Sequence, residues 1–317
     1  MPRYEKVTLG KISHENGFIR DTFEKMSRLI DILQFINSET ELNSILALKG
    51  GTAINLTIFN LPRLSVDIDL DLTENYSRDE MFVKRERISE LLGRFMAGEG
   101  YVKNSKSKQV HALDSFVYSF TNATGNADNI KIEINYISRS HILLPNIISA
   151  KTDNIFPDFI IRTLDPVEIF ASKISALLTR TAARDVYDVN NMILFEIFDK
   201  EQTLLLKKCL VFYIAIGTDD APDEFDFEKL DGLKYHDIKT RLIPMLRKKD
   251  SFDINIARER IKNYLSELLQ FTDYEKEFLS QFRNGQYKPE LLFTGDMLER
   301  VQNHPMALWK CNPKKAN

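Results

Sequence analysis

The sequence predicts an α+β fold in which a mixed sheet flanked by helices is followed, from Asp165 onward, by a mainly helical region. Three observations carry this. VDIDLDL at 66–72 alternates strictly between polar and apolar groups, the period of a strand with one buried face. Three further β-type segments, YVKNS, SFVYSF and IKIEINYI, cluster between 101 and 137. Beyond residue 165, apolar side chains recur at spacings of three and four, the period of helices packed on one face. The expected organisation is a core over residues 1–164 with N-terminal helices, and a mainly helical domain over 165–317 that contributes basic residues to a cleft.

The elements justify themselves in order. GFIRDTFEKMSRLIDILQFI at 17–36 has the spacing of an amphipathic helix, and residues 40–48 suggest a short helix leading into a strand. LALKGGT then reads as strand, glycine turn and helix start, with the helix ending before Asn60 and Pro62. In the strand 66–72, Asp67, Asp69 and Asp71 share one face, and Val66, Ile68, Leu70 and Leu72 the other. Residues 79–97 look helical, and TNATGNADN has the composition of a turn between two strands of a hairpin joined to the aspartate strand. DPVEIFASKISALLTRTAARDVYDVNNMI reads as helix, break and helix, with Asp165 as cap and Pro166 in the first turn. GTDDAPDEFDFE at 217–228 is expected as an exposed connection, followed by helices near 237–247, 255–271 and 274–283.

Composition excludes several functional classes. Forty-three basic and forty-six acidic side chains give a net charge of -3, which does not suit a protein that coats nucleic acid, although a local basic groove is compatible with it. Cys209 and Cys311 lie far apart, so neither a disulfide framework nor a zinc cluster is indicated, and reduced thiols in the cytoplasm are expected. No apolar run reaches the roughly 18 residues of a membrane span, and LLLKKCLVFYIAI, interrupted by two lysines, reads as a buried helix or strand.

Chemistry concentrates on the aspartate strand. Two carboxylates separated by one residue, Asp67 and Asp69, project side by side and can share divalent cations; magnesium takes oxygen ligands and bridges carboxylates to phosphates. A two-ion arrangement would activate an attacking hydroxyl and stabilise leaving pyrophosphate. Glu133, on the polar face Lys131–Glu133–Asn135 of its strand, is the candidate third ligand. Three aspartates on one face also repel one another unless a cation, a base or solvent compensates. Gly50 and Gly51, in a turn before a helix, are candidates for holding phosphate oxygens, without the spacing of a P-loop. After residue 165, Lys173, Leu177, Arg180 and Arg184 form a stripe with Asp188 at its edge. Lys173 is the preferred triphosphate contact, with Arg180 and Arg184 as secondary candidates. Asp185 and Asp188 either orient the arginines as ion-pair partners, or Asp185 approaches the active site; both stay open. Tyr136 and Tyr187 are candidates for stacking a base, among 21 phenylalanines and 11 tyrosines that mostly build core.

Together these residues resemble the AbiEii/AbiGii toxin family of nucleotidyltransferases, a branch of the DNA polymerase beta-like superfamily. KGGTAINL and RLSVDIDL, at 49–56 and 63–70, look like its first motif, carried by Gly50, Gly51, Thr52, Arg63, Ser65, Asp67 and Asp69. EIFASKISALLTR and ARDVYDV look like its second region, through Glu168, Lys173, Arg180, Arg184, Asp185 and Asp188, and HPMALWK at 304–310 resembles the ending of many members. Fifteen residues separate Gly51 from Asp67, longer than in many polymerase beta-like enzymes and close to this family's pattern. The resemblance implies a nucleotidyltransferase-like sheet and transfer of a nucleotide from a nucleoside triphosphate to an acceptor hydroxyl. Asp67, Asp69, Lys173 and Asp185 would be catalytic. Gly50, Gly51, Thr52, Arg63, Ser65, Lys173, Arg180 and Arg184 would bind nucleotide, and Asp67, Asp69 and Glu133 would hold two Mg2+ ions. It further implies a toxin of a toxin–antitoxin or abortive-infection system, acting on tRNA or other RNA, beside a winged-helix antitoxin. The competing readings are nucleotidylation of a protein or small molecule, and a non-catalytic nucleotide- or RNA-binding protein.

Overall fold

The computed structural model describes residues 4–218, 225 and 227–312 of the chain. They form two compact units, one made of Met1–Arg139, Pro145–Leu164 and Pro244–Asp250, the other of Ser140–Leu144, Asp165–Ile243 and Ser251–Asn317. The chain thus changes unit after Leu164, with two short exchanges. Segment 140–144 joins the helical unit because the buried Glu168 carboxylate accepts hydrogen bonds from the backbone N–H groups of Ile142 (3.1 Å) and Leu143 (2.9 Å). Segment 244–250 joins the first unit because the Met245 carbonyl accepts from Leu64 N (2.8 Å) and Lys248 N donates to the Gly17 carbonyl (2.7 Å).

The first unit is a mixed eight-stranded sheet with helices. Its helices are α1 (Lys6–Glu15), α2 (Arg20–Ser38), the short α3 (Thr40–Asn43), α4 (Gly50–Ala53), which continues as a π turn over Ile54–Ile58, and α5 (Arg78–Gly98). Its strands are β1 (Leu46–Lys49), β2 (Asp67–Leu72), β3 (Val102–Lys103), β4 (Lys108–Val110), β5 (Leu113–Thr121), β6 (Ala127–Asn135), β7 (Asn146–Ser149) and β8 (Ile160–Thr163). The order across the sheet is β3-β5-β6-β2-β1-β8-β7, with β4 paired to β5. β2 lies at the centre, antiparallel to β1 and parallel to β6.

The alternation that predicts β2 is realised in burial. Ile68, Leu70 and Leu72 are buried, as are Ile130, Ile132 and Ile134 of β6 and Phe116 and Tyr118 of β5, so these strands share one apolar face. Helix α2 buries Phe23, Met26, Ile30, Leu33 and Ile36 at helical spacing, and α5 starts at a capping box in which Ser77 and Glu80 exchange hydrogen bonds. The core also holds a buried polar network. Arg85 and Asp114 form an ion pair at 2.5 Å, and Tyr136 Oη donates to Asp114 at 2.9 Å. Burial beside the Asp114 charge pushes the Tyr136 phenol well above its ordinary pKa.

The second unit is helical among its described residues: α6 (Pro166–Arg180), α7 (Ala183–Leu194), α8 (Lys200–Gly217), α9 (Glu228–Asp231), α10 (Tyr235–Arg241), α11 (Ile254–Leu268), α12 (Asp273–Arg283), α13 (Gly295–Val301) and α14 (Pro305–Lys310). Asp165 caps α6 by accepting from Val167 N at 2.9 Å, and Pro166 occupies its first turn. LLLKKCLVFYIAI forms the last turns of α8, where Leu206, Cys209, Leu210, Val211, Phe212 and Ile214 are buried. His304 caps α14 through its ring, Nδ1 accepting from Ala307 N at 3.3 Å. Among the described residues no helix is long and apolar enough to cross a membrane.

Several expectations need correction. The first long helix begins at Arg20 rather than residue 17, because Gly17 takes a positive φ of 76° and turns the chain. The helix expected over 237–247 stops at Arg241, since Pro244 follows and the chain passes to the first unit. Helix α1 and strands β7 and β8 carry no motif that singles them out. The connection expected at 217–228 lies largely outside the described residues.

Candidate active site

The candidate site lies on the polar face of β2. Cα registers place Asp69 opposite Lys49 of β1 and opposite Glu133 of β6, while Asp67 faces Lys131. Asp67 and Asp69 are partly exposed on adjacent pleats, and Glu133 sits on the same face. Directly opposed carboxylates repel, so the Asp69–Glu133 pair is tolerated only with positive charge or solvent nearby. Two ammonium groups supply part of it. Lys131 Nζ lies 2.6 Å from Glu133 Oε2, and Lys49 Nζ lies 2.5 Å from Asp71 Oδ1. The third aspartate of the strand is therefore not equivalent to the other two: Asp71 is only 2% exposed and engaged by a lysine.

The Gly50–Gly51 turn is shaped by these neighbours. Gly50 has φ 69°, and a Cβ there would lie 2.7 Å from Asp69 Oδ2, so only glycine lets the backbone turn against that carboxylate. A Cβ on Gly51 would lie 2.8 Å from an Arg63 guanidinium nitrogen and 3.4 Å from Ser65 Oγ. The loop between helix and strand is stitched beneath the turn: Thr52 Oγ1 lies 3.0 Å from Ser65 Oγ and also donates to the Asp67 carbonyl. Arg63 donates to the Leu64 carbonyl at 3.0 Å. Thr52, Arg63 and Ser65 are all buried, at 0%, 1% and 4% exposure. They form a frame under the turn rather than an open phosphate-binding surface. Their signal was positional in the sequence, and their burial was not legible there.

Asp67 and Asp69 on β2 are hard oxygen donors of the kind a divalent cation such as Mg2+ takes, and Glu133 lies opposite Asp69 on the neighbouring strand. Among the described residues no group of three or more His, Cys, Asp or Glu side chains is drawn together as a metal cluster. The Asp67–Asp69 pair and the cradle at Gly50 carry the fit, while Glu133 is engaged by Lys131.

The second unit holds its own charged cluster. Lys173 of α6, 9% exposed, reaches Asp185 Oδ1 at 2.9 Å and Asp188 Oδ2 at 3.3 Å, both on α7. Arg180 Nε, on a largely exposed side chain, reaches Asp185 Oδ2 at 3.1 Å. Burial alone would raise the pKa of Asp185, but Lys173 and Arg180 outweigh it and hold the carboxyl below its ordinary value. The predicted stripe is not one helical face. Thr181 takes φ 45° and ends α6, so Arg184 lies on the next helix and Leu177 is fully buried. Of the two roles left open for Asp185, ion pairing is observed, with Lys173 as well as Arg180. Glu168 is a buried anchor: within segment 140–144 it also pairs with His141 Nδ1 at 3.3 Å, and beyond it Glu168 accepts from Tyr213 Oη at 2.7 Å. Burial would raise its pKa, yet these partners hold it below the ordinary value.

The base-stacking candidates do not present open rings. Tyr136 is 1% exposed within the Arg85–Asp114 network, and Tyr187 packs edge-on against Phe252 at 5.4 Å between centroids. Sequence reasoning passed over Lys49, although a lysine directly before the glycine pair and one strand from three aspartates was a usable signal.

A central strand with paired carboxylates beside a glycine turn is suited to holding a metal-bound phosphate, the chemistry that nucleotidyl transfer needs. The family model described as "Nucleotidyl transferase AbiEii toxin, Type IV TA system" matches residues 31–284, and the chain belongs to that family. It is a nucleotidyltransferase by that membership, and the family pairs such toxins with antitoxins. Among solved structures the fold is similar to MenT4, a nucleotidyltransferase toxin from Mycobacterium tuberculosis H37Rv. The TM-score is 0.62 at 15% identity, covering 95% of this chain and 98% of that one. A search of curated proteins returned no match.

Proposed function

We propose that the protein transfers a nucleotide from a nucleoside triphosphate to an acceptor hydroxyl on RNA, tRNA being the favoured acceptor, with Mg2+ held by Asp67 and Asp69. The observation that carries this reading is the Asp67–Asp69 pair on β2, with Glu133 opposite Asp69 and the Gly50 backbone packed against the Asp69 carboxylate. When bound, the divalent ions would supply charge neutralisation at the phosphates and acidify the attacking hydroxyl. The chain's own residues do the rest. Gly50 and Gly51 let the backbone approach phosphate oxygens closely, and Thr52, Ser65 and Arg63 hold that turn in register with the aspartate strand. Glu133, paired with Lys131 at 2.6 Å, would be the third residue to hold the metal. Lys173 is the proposed triphosphate contact, with Arg180 and Arg184 as further sources of positive charge. Asp185 keeps the Lys173 ammonium directed. The cell compartment consistent with RNA as acceptor is the cytoplasm, and the proposed partner is a winged-helix antitoxin.

The test is transfer from each of the four α-labelled nucleoside triphosphates, with Mg2+, to total RNA, to cellular protein and to a small-molecule extract. Label in RNA, lost in Asp69→Ala, supports the reading. Label confined to protein or to small molecules would replace RNA as acceptor, and no label in any fraction would refute transfer.

A further inference from the structure

One ammonium on the polar face of β2 has no task in nucleotidyl transfer as described. Lys49 ends β1, immediately before the glycine pair, and its backbone lies opposite Asp69. Its side chain is nevertheless committed one pleat away, with Nζ 2.5 Å from Asp71 Oδ1. Asp71 is almost completely buried, while Asp69 is partly open. A flexible four-carbon stem whose backbone stands opposite Asp69 has two carboxylates within its range along the strand, and the geometry gives it to the deeper one.

We propose that Lys49 and Asp71 are a paired positioning device for the divalent-cation site. Asp71 retains the Lys49 ammonium and so keeps it off Asp69, where it would compete with a cation. Lys49 in turn neutralises Asp71, so that two of the three aspartates on this strand face, rather than all three, govern how the cation is held. The inference rests on the reading that Asp67 and Asp69 hold the divalent ion. A salt bridge that only stabilised the sheet would predict equal indifference of cation affinity to both partners. The positioning role predicts opposite signs. In Asp71→Asn the ammonium is released toward Asp69 and cation binding weakens. In Lys49→Met one positive charge close to the site is lost and binding tightens.

The experiment is titration of the full-length protein with Mn2+ alone, reading free ion by its electron paramagnetic resonance signal, for wild type, Asp71→Asn, Lys49→Met, the double variant Lys49→Met/Asp71→Asn, and Asp69→Ala. The expected results are affinity weaker by roughly tenfold in Asp71→Asn, stronger by roughly threefold in Lys49→Met, and within about twofold of wild type in the double variant, the order expected for unit charges about 7 Å, one i-to-i+2 strand spacing, from a divalent ion at the protein surface. Lys49→Met removes the ammonium from a buried carboxylate and is the variant at risk of misfolding. Asp71→Asn and the double variant avoid that hazard and carry the test without it, since weakening in the first must be reversed in the second. Wild-type affinity in Asp71→Asn, or failure of the double variant to recover it, overturns the proposal. If Asp69→Ala loses Mn2+ while Asp71→Asn binds normally, the pairing idea alone fails. If Asp69→Ala binds Mn2+ as wild type does, the metal reading fails and takes the proposal with it.

Discussion

Replacing Gly50 by alanine separates the shape of the turn from its chemistry. At φ 69° an L-residue pays about 1–2 kcal/mol in backbone strain, which at roughly 2–4 °C per kcal/mol lowers the melting temperature by about 2–8 °C. The added methyl also arrives 2.7 Å from Asp69 Oδ2, so that carboxylate oxygen must leave its present position, while Asp69 Cβ and Cγ stay at contact distance, 3.4 Å. Displacement of a catalytic group by about 1 Å costs on the order of a hundredfold in rate. Gly50→Ala is therefore expected to remain folded, melt a few degrees lower, and lose about a hundredfold in nucleotide transfer. Gly93→Ala is the control. Gly93 lies within α5 with no atom within 4 Å of the added Cβ, so this variant gains up to about 1 kcal/mol of helix stability and keeps full activity. Thermal unfolding by circular dichroism and initial rates of labelled-nucleotide transfer measure both. A Gly50→Ala protein that transfers nucleotide within about threefold of wild type would refute the claim that this turn positions Asp69.

Three further outcomes follow from the same geometry. Lys173→Met removes the ammonium that the buried Asp185 and Asp188 share and should cost about 3–5 kcal/mol in urea unfolding, with Asp185→Asn in the same protein recovering part of the loss. Tyr136→Phe removes a buried hydrogen bond to the Asp114 carboxylate and should cost about 1.5–3 kcal/mol while leaving transfer activity unchanged, which unfolding and rate measurements together check. Glu168 has a folded-state pKa below its unfolded value, so its stabilisation is present above about pH 4.3 and lost as pH falls through the depressed folded value. The melting temperature of wild type should accordingly fall more steeply on acidification below about pH 4 than that of Glu168→Gln.

The legible parts of this fold are those where one local pattern decides the outcome. The period-two run of β2 set both its strand character and the shared face of Asp67, Asp69 and Asp71, and Asp165–Pro166 marked the start of α6 by capping chemistry alone. Glu133 was readable as a polar-face residue of its strand, and the β2–β6 register puts it opposite Asp69. What was not legible depends on contacts distant in sequence. That Asp71 pairs with Lys49, that Glu133 is met by Lys131, and that Arg63 and Thr52 are buried under the turn all follow from strand register and depth, which a periodicity does not encode. The stripe from Lys173 to Arg184 failed for a local reason of a different kind: a left-handed Thr181 breaks the helix that the spacing assumed. β7, at the edge of the sheet, and β8, between β7 and β1, are four residues each and expose Ile147 and Ile160, so neither run is long enough to announce itself by periodicity.

The most direct measurement is pyrophosphate release from each nucleoside triphosphate in the presence of RNA and Mg2+, comparing wild type with Asp67→Asn and Asp69→Asn at matched folding by circular dichroism. Removing either charge while keeping the side-chain shape should lower the rate by about a thousandfold, equivalent to about 4 kcal/mol of transition-state stabilisation. Folded variants that release pyrophosphate within about tenfold of wild type would contradict the assignment of nucleotidyl transfer to this aspartate pair.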